Sequence, residues 1–536
     1  VLLTEFLPHA VRQDPDAVAV RCGDHTLSYR TLTDRVARLA AALEQLGLER
    51  GDRVAILHRN CHRVLETYFA AVHAGAVLVP LNHRLTPADL AHIVGETGSR
   101  VLVVDEAWAG LARDAVAQVA SAVRLVGSRV GGDGRSRGFE LDIEDLLDAA
   151  APADLAGSTA EADHPVNIYY TSGTTGHHKG VVLTHRNVAS HAVATIRELG
   201  LSRNDVWAHV APMFHLADAW AVWALTLVGA QHVMVDRFAP AKALQCFEDH
   251  EVTVTNLVPT MLNDIVACTA AGTTDLSAFR LVMSGGAPIS PRLVRQVVDT
   301  FACEYVQTYG LTETSPYLTF SLLEDRHRTL PITDQLRIRS MTGRPARGVE
   351  VRVVDEQGRE VAADGSTVGE IVARGDRVFT GYWRRPRTTA EAFDDSGFFH
   401  TGDLATVDPD GYLSIVDRKK DVILSGGELV YSTEVEHVLS EHPAVLEVAV
   451  VPRPDERLGE RVHAVVAPRP GTEPGADELV AYCRARLAHY KCPKDVTFVE
   501  ALPRTGSGKI NKRVLRTSMG RARLDVIGCG RPARDG

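Results

Sequence analysis

A chain of 536 residues exceeds what one hydrophobic core usually serves, so at least two domains are expected. Hydrophobic residues make up 45% and mean hydropathy is near zero, as in a soluble globular protein, and no run approaches the length of an integral membrane segment. A formal charge of −10 with no basic tract argues against nucleic acid or an anionic membrane as partner, and eight scattered cysteines without a CxxC pair read as reduced thiols in a cytoplasmic protein.

Along the first hundred residues, helix and strand signals alternate. Leu32, Val36, Leu39, Leu43 and Leu46 recur at steps of four and three, one face of a helix that Gly47 can close. Residues 54–57 read as a buried strand, 64–74 as a second apolar helix ending at Gly75, and 76–79 and 101–104 as further strands. Residues 127–138, rich in Gly, Arg and Ser, are predicted to form a mobile surface loop. Strand signals resume at 168–170, 233–235, 252–255, 281–284 and 305–308. Helices alternating with short apolar strands predict an α/β fold of stacked layers with largely parallel sheets. The character changes near Asp417: strands at 448–451 and 462–466 flank a polar turn, and a helix is predicted over 478–487, a small α+β unit. The expected organisation is a large multi-layer α/β domain (1–416), a small mobile C-terminal α+β domain (417–520) and a tail (521–536).

The stretch at 169–187 reads YYTSGTTGHHKGVVLTHRN. Glycines let backbone N–H groups approach a polyanion, hydroxyls add donors, and a lysine neutralises phosphate charge. It is not the nucleoside-triphosphatase loop, which needs four residues between its glycines and Gly-Lys-Ser/Thr directly after. Here only Thr174 and Thr175 separate Gly173 from Gly176, and Lys179 follows two histidines. From these residues alone a Gly/Thr-rich surface turn is the alternative.

Further motifs follow in order: PMFH (212–215), SGGAP (284–288), TYGLTETSP (308–316), TGRP (342–345), TGDL (401–404), GYLSIVDRKKDVILSGGE (411–428) and PRTGSGKINK (503–512). Together with TSGTTGxxKG they resemble the adenylate-forming superfamily of acyl-CoA synthetases, peptide-synthetase adenylation domains and luciferases. The nearest likeness is to acyl-CoA ligases acting on fatty or related acids, and it covers about 3–516.

The resemblance implies ATP- and Mg²⁺-dependent activation of a hydrophobic carboxylic acid as acyl-AMP, then transfer to the thiol of CoA. Thr171, Ser172, Gly173, Thr174, Thr175, Gly176 and Lys179 would cradle the β- and γ-phosphates, Thr174 counting among the catalytic donors. Glu313 would be the catalytic Mg²⁺ ligand, since magnesium on a nucleotide needs only one or two carboxylates. Gly285, Gly286, Ala287 and Pro288, with Thr308, Tyr309, Gly310 and Thr312, would pack adenine and contact the α-phosphate at the carboxyl ends of strands. Asp403 would hold the ribose hydroxyls and Arg418 the ribose or a phosphate. Lys509, in a glycine-flanked stretch, matches the family's catalytic lysine, which bridges the substrate carboxylate and the α-phosphate. A hinge at Asp417 would then bring Ser425, Gly426, Gly427 and Glu428 to the site, the glycines leaving room for a pantetheine arm. His215 would be a gate or acyl-pocket residue, and Trp220, Val222 and Trp223 would line an acyl tunnel; ordinary core packing is the alternative for all four.

The pattern departs from the family at His178, preceded by His177, where proline is frequent, and at Leu429 and Ser432, where many acyl-CoA ligases carry Asn and Pro. The latter lie on the thiolation face, which keeps two other readings open. One is an adenylating enzyme that passes the acyl group to a carrier protein or a separate thiolating partner, or stops at the adenylate. The other is a catalytically silent nucleotide- or acyl-binding protein.

Overall fold

The computed structural model describes residues 2–130, 135–155, 160–172, 178–504 and 510–518. Contacts divide the chain into two units, Val1–Thr401 with Thr406–Ile415, and Gly402–Ala405 with Val416–Gly536. Gly402, Asp403 and Leu404 of the TGDL segment therefore group with the second unit.

Within the first unit, an eight-stranded sheet runs in the order Gly381–Tyr382, His178–Thr184, Pro165–Ser172, Val77–Pro80, Arg53–Leu57, Val101–Asp105, Arg124–Ser128 and Leu141–Asp142. From Pro165–Ser172 through Leu141–Asp142 the pairings are parallel; those at the other edge are antiparallel. Val101–Asp105 is buried at every position, as expected for a strand covered on both faces. The helices read from the sequence lead into two of the strands of this sheet, Tyr29–Gln45 into Arg53–Leu57 and His62–His73 into Val77–Pro80. Tyr29–Gln45 starts where Ser28 Oγ accepts the Thr31 N–H, and buries Leu32, Val36, Leu39 and Leu43. His62–His73 is followed by Gly75 in the left-handed region at φ +69°.

A nine-stranded sheet contains Glu304–Gly310, Leu281–Ser284, Val254–Asn256, Val206–His209, Gln231–Met234 and Val18–Cys22 as parallel neighbours. Leu244, Phe247, Leu262, Val294 and Phe301 close over it. The apolar helix Leu216–Val228 buries Trp220, Val222 and Trp223 almost completely. Trp220 meets Trp207 and Tyr317 edge-on, and Trp223 meets Phe69. These three side chains serve as core packing.

Gly127 and Ser128 depart from the surface loop expected over 127–138, of which 131–134 lie outside the described residues. Gly127 and Ser128 end the parallel strand Arg124–Ser128, and Ser128 is fully buried. Glycine is required there by close approach, because a Cβ at Gly127 would collide with Ser136 and Phe139. Tertiary packing outweighs a loop-like composition.

In the second unit, Glu428–Val430, Ile423–Ser425, Gly459–Pro468 and Val445–Asp455 form an antiparallel sheet, and Asp495–Phe498 adds in parallel beside Gly459–Pro468. Helices Ser432–Ser440 and Ala476–Arg484 contribute Val435, Leu439 and Leu479 to its core. The long strands extend well past 448–451 and 462–466, because they pair with each other from Val445 opposite Pro468 to Asp455 opposite Gly459. Among the described residues no helix is long and apolar enough to cross a membrane.

Candidate active site

The phosphate-loop stretch leaves the sheet at the carboxyl end of Pro165–Ser172 and returns as His178–Thr184. Thr171 pairs with Lys179 and Ser172 with His178 across this antiparallel ladder. Gly173, Thr174, Thr175 and Gly176 lie outside the described residues, as does Lys509. His178 turns its Nε2 to 3.9 Å from Asp89 Oδ1. At the end of the return strand, Thr184 and Asn187 cap the helix His185–Leu199 reciprocally.

In the nine-stranded sheet, the neighbouring strands Leu281–Ser284 and Glu304–Gly310 end side by side. Thr308 is buried and its hydroxyl donates to the Ser284 carbonyl at 2.8 Å. A Cβ at Gly285 would strike that hydroxyl, which explains the glycine. Gly286 sits at φ +80°, and Gly286, Ala287 and Pro288 are exposed, with the Ala287 carbonyl accepting from Gln307 Nε2 at 2.9 Å. Tyr309 is buried, and a Cβ at Gly310 would overlap the Pro316 carbonyl. Beyond it Thr312–Thr314 forms a short 3₁₀ turn, tied by Leu311 N–H donating to Thr314 Oγ1 at 2.9 Å.

That turn points Glu313 at the phosphate-loop strand. Glu313 is buried, and its Oε1 accepts from the Tyr382 hydroxyl at 2.9 Å. Lys179 Nζ lies 4.9 Å from the centre of the Tyr382 ring. Burial, reinforced by the Glu313 charge, pushes the Tyr382 phenol upward, so it remains a donor. Lys179 and Glu313, both read from the sequence, thus meet at one aromatic residue that the sequence reading missed. Only an aromatic pair after Gly381 marks Tyr382 in the sequence, and its place depends on pairing with Val181.

The structure holds the PMFH segment from below. Asn60 Nδ2 donates to the His209 and Ala211 carbonyls, Met213 N–H donates to Asn60 Oδ1 at 2.9 Å, and the Tyr68 hydroxyl donates to the Met213 carbonyl at 3.0 Å. His215 caps the helix Leu216–Val228, accepting Ala219 N–H at its carbonyl, while its half-buried ring packs 4.5 Å from Phe214.

In the second unit, Asp403 is buried and Arg418 Nε donates to its Oδ1 at 3.0 Å. Gly426 and Gly427, at φ +64° and +89°, make the two-residue turn of a hairpin in which Ser425 pairs with Glu428. Turn geometry accounts for both glycines.

Among the described residues no group of three or more histidine, cysteine or acidic side chains could hold a metal. A single buried carboxylate beside a phosphate-loop lysine nevertheless fits magnesium, which takes one or two protein carboxylates and completes its shell with phosphates and water.

The family model of AMP-binding enzymes matches residues 7–383, and that of the AMP-binding enzyme C-terminal domain matches 434–509. The chain belongs to the AMP-binding enzyme family. It is 40% identical over 510 residues to a feruloyl-CoA synthase of Amycolatopsis sp, covering 95% of this chain and 97% of that one. It is 34% identical to the fatty acid–[acyl-carrier-protein] ligase ScoC of Streptomyces coeruleorubidus, covering 94% of each. The crystal structure of ATP-bound MatB from Rhodopseudomonas palustris superposes with a TM-score of 0.85 at 31% identity, over 97% of this chain and 99% of that one. This member is an AMP-forming acid–thiol ligase of the acyl-CoA synthetase type.

Proposed function

We propose that the acid activated by this ligase is hydrophobic, that CoA accepts the acyl group, and that Lys179, Glu313, Asp403, Arg418 and Lys509 carry the first half-reaction. A substrate carboxylate oxygen bonds to the α-phosphorus of ATP, the bond to the bridging oxygen breaks, and pyrophosphate departs. The CoA thiol, giving up its proton, then bonds to the acyl carbon, and AMP leaves with the electron pair of the mixed anhydride. Two anions must meet in the first step, so the chain must supply cations and donors aimed at phosphate and carboxylate oxygens. Lys179 neutralises phosphate charge, Thr308 and Thr312 border the α-phosphate, and Asp403 with Arg418 receives the ribose. Lys509 bridges the two reacting groups. Glu313 would hold Mg²⁺, which when bound offsets charge on the phosphates.

The observation that carries this reading is the meeting of Lys179 and Glu313 at Tyr382, a cation and a metal-competent carboxylate brought together from the phosphate loop and the TYGLTE loop. Thiols at all seven described cysteines support a reducing, cytoplasmic setting.

A second reading concerns the acceptor. Leu424 and Leu429 pair across the Ser425–Glu428 hairpin and are 52% and 54% exposed, an apolar pair suited to a protein surface. With a carrier-protein ligase among the relatives, this favours a carrier-protein thiol as the alternative. One experiment separates the two: ATP, Mg²⁺ and a panel of carboxylic acids are incubated with CoA, with a phosphopantetheinylated carrier protein, or with neither, and products are resolved by mass. Acyl-CoA formed only with CoA is expected. Acyl-AMP that persists with CoA and disappears with the carrier would overturn CoA as acceptor. Activity confined to small polar acids would overturn the hydrophobic substrate.

A further inference from the structure

We infer that Tyr382 is a positioning residue with two separable parts, a hydroxyl that orients Glu313 toward the metal and a ring that holds Lys179 toward the phosphates. The inference rests on the roles proposed above for those two residues. Tyr382 belongs to neither loop, yet it is fixed to both. Its short strand pairs with the phosphate-loop return strand, Gly381 opposite Val182 and Tyr382 opposite Val181, and Trp383 N–H donates to the Gly180 carbonyl at 2.7 Å. Tyr382 N–H donates to Thr389 Oγ1 at 2.9 Å, and a Cβ at Gly381 would crowd the same threonine, so the backbone has little freedom to move. On the other side, Phe379 packs edge-on against the Tyr382 ring at 4.9 Å while its own N–H donates to the Glu313 carbonyl at 2.8 Å. Glu313 is thus held at its backbone by Phe379 and at its side chain by Tyr382. The bond from the phenol fixes the plane in which the Glu313 carboxylate presents its oxygens. The ring face attracts Lys179 Nζ independently of the hydroxyl.

The two parts come apart by substitution. ATP affinity of the full chain is measured by calorimetry in EDTA and at saturating Mg²⁺. Tyr382→Phe keeps the ring and removes the bond to Glu313; it is expected to weaken Mg·ATP binding about ten-fold while metal-free ATP stays within about two-fold. Tyr382→Leu removes both parts and is expected to weaken metal-free ATP as well, by about five-fold. In a Glu313→Gln background, Tyr382→Phe should add no more than about a two-fold change to Mg·ATP binding. Mg·ATP affinity unchanged in Tyr382→Phe, or both affinities falling equally, would overturn the inference. Should Tyr382→Leu fail to fold, the phenylalanine variant and its cycle with Glu313→Gln still decide the hydroxyl's role. Acyl-AMP formation by the unaltered protein separates the two levels: its absence overturns the proposed half-reaction, whereas its presence beside an unaffected Tyr382→Phe overturns this role alone.

Discussion

A methyl group at Gly310 has nowhere to go, because the Pro316 carbonyl occupies its place. Gly310→Ala must therefore shift the backbone that leads into the Thr312–Thr314 turn, and Glu313 with it. Overpacking of this kind costs about 1–3 kcal/mol, so the variant is expected to unfold at lower urea and to bind Mg·ATP more weakly. Equal urea midpoints would show that the loop yields freely. Lys509 makes the complementary case, since its expected role is confined to chemistry. Lys509→Ala should slow acyl-AMP formation by about 100-fold or more, yet leave thioester formation from supplied acyl-adenylate within about two-fold. Equal loss in both half-reactions would rule out the bridging role. Gly285, Gly310, Lys179 and Glu313 are legible in the sequence because each sits in a short contiguous motif whose chemistry names the residue type. Tyr382 is not legible, because its meaning arises only when Gly381–Tyr382 lies against 181–182 and faces a third loop.

At the scale of elements, the tail of the phosphate-loop motif turns out to be architecture. Thr184 Oγ1 accepts Asn187 N–H, Asn187 Oδ1 accepts Thr184 N–H, and Asn187 Nδ2 reaches the Asp376 and Val378 carbonyls at 2.8 and 2.9 Å. One cap thus starts the helix His185–Leu199 and steadies the segment that leads to Tyr382. His185 adds a second tie: its Nδ1 accepts the Leu3 N–H at 3.2 Å, which requires a ring unprotonated at that nitrogen. Burial, helped by repulsion from His164 and Arg50, lowers its pKa from 6.5 to about 4. Between those values the unfolded chain binds the proton that the folded chain refuses. The stabilising effect of the neutral ring is full above about pH 6.5 and is lost as pH falls toward about 4, at up to about 1.4 kcal/mol per pH unit. His185→Asn, which keeps an acceptor but cannot titrate, should flatten the decline of Tm between those limits; an unchanged slope would place the acid sensitivity elsewhere. Strand positions such as 281–284 are legible from their apolar runs. The strand ending at Gly127–Ser128 is not, because its glycine answers to Ser136 and Phe139 rather than to local propensity.

At the scale of the molecule, the chain passes between its two units within the strands Phe399–Val407 and Leu413–Arg418, and the second unit takes over at Val416. Asp417, expected as a hinge, is 1% exposed and its carboxylate accepts from both the N–H and the hydroxyl of Ser432. Lys512 Nζ donates to the same Ser432 hydroxyl and pairs with Glu436, each at 2.7 Å. A proline at 432 would lack the N–H that Asp417 uses, so the departure from the family pattern has a physical consequence: it ties the start of this unit to the helix Lys512–Ser518, just beyond Lys509. Burial pushes the Asp417 carboxyl upward even though Lys512 and Ser432 oppose it, as expected where these bonds only partly compensate for lost solvation. Ser432→Ala removes one buried donor and the acceptor of Lys512 and should cost about 1–3 kcal/mol, with Ser432→Pro costing more. Each unit has its own core, so the loss should stay local. Hydrogen exchange should quicken across 416–518 and remain unchanged in the Val101–Asp105 and Leu281–Ser284 strands. Both half-reactions should then slow together, and ATP affinity should fall with them, because Lys509, the Ser425–Glu428 hairpin and the proposed ribose contacts Asp403 and Arg418 all belong to the weakened unit. Faster exchange spread evenly over both units would instead mean that they unfold as one, and Ser432 would then act on the stability of the whole chain rather than on the second unit alone.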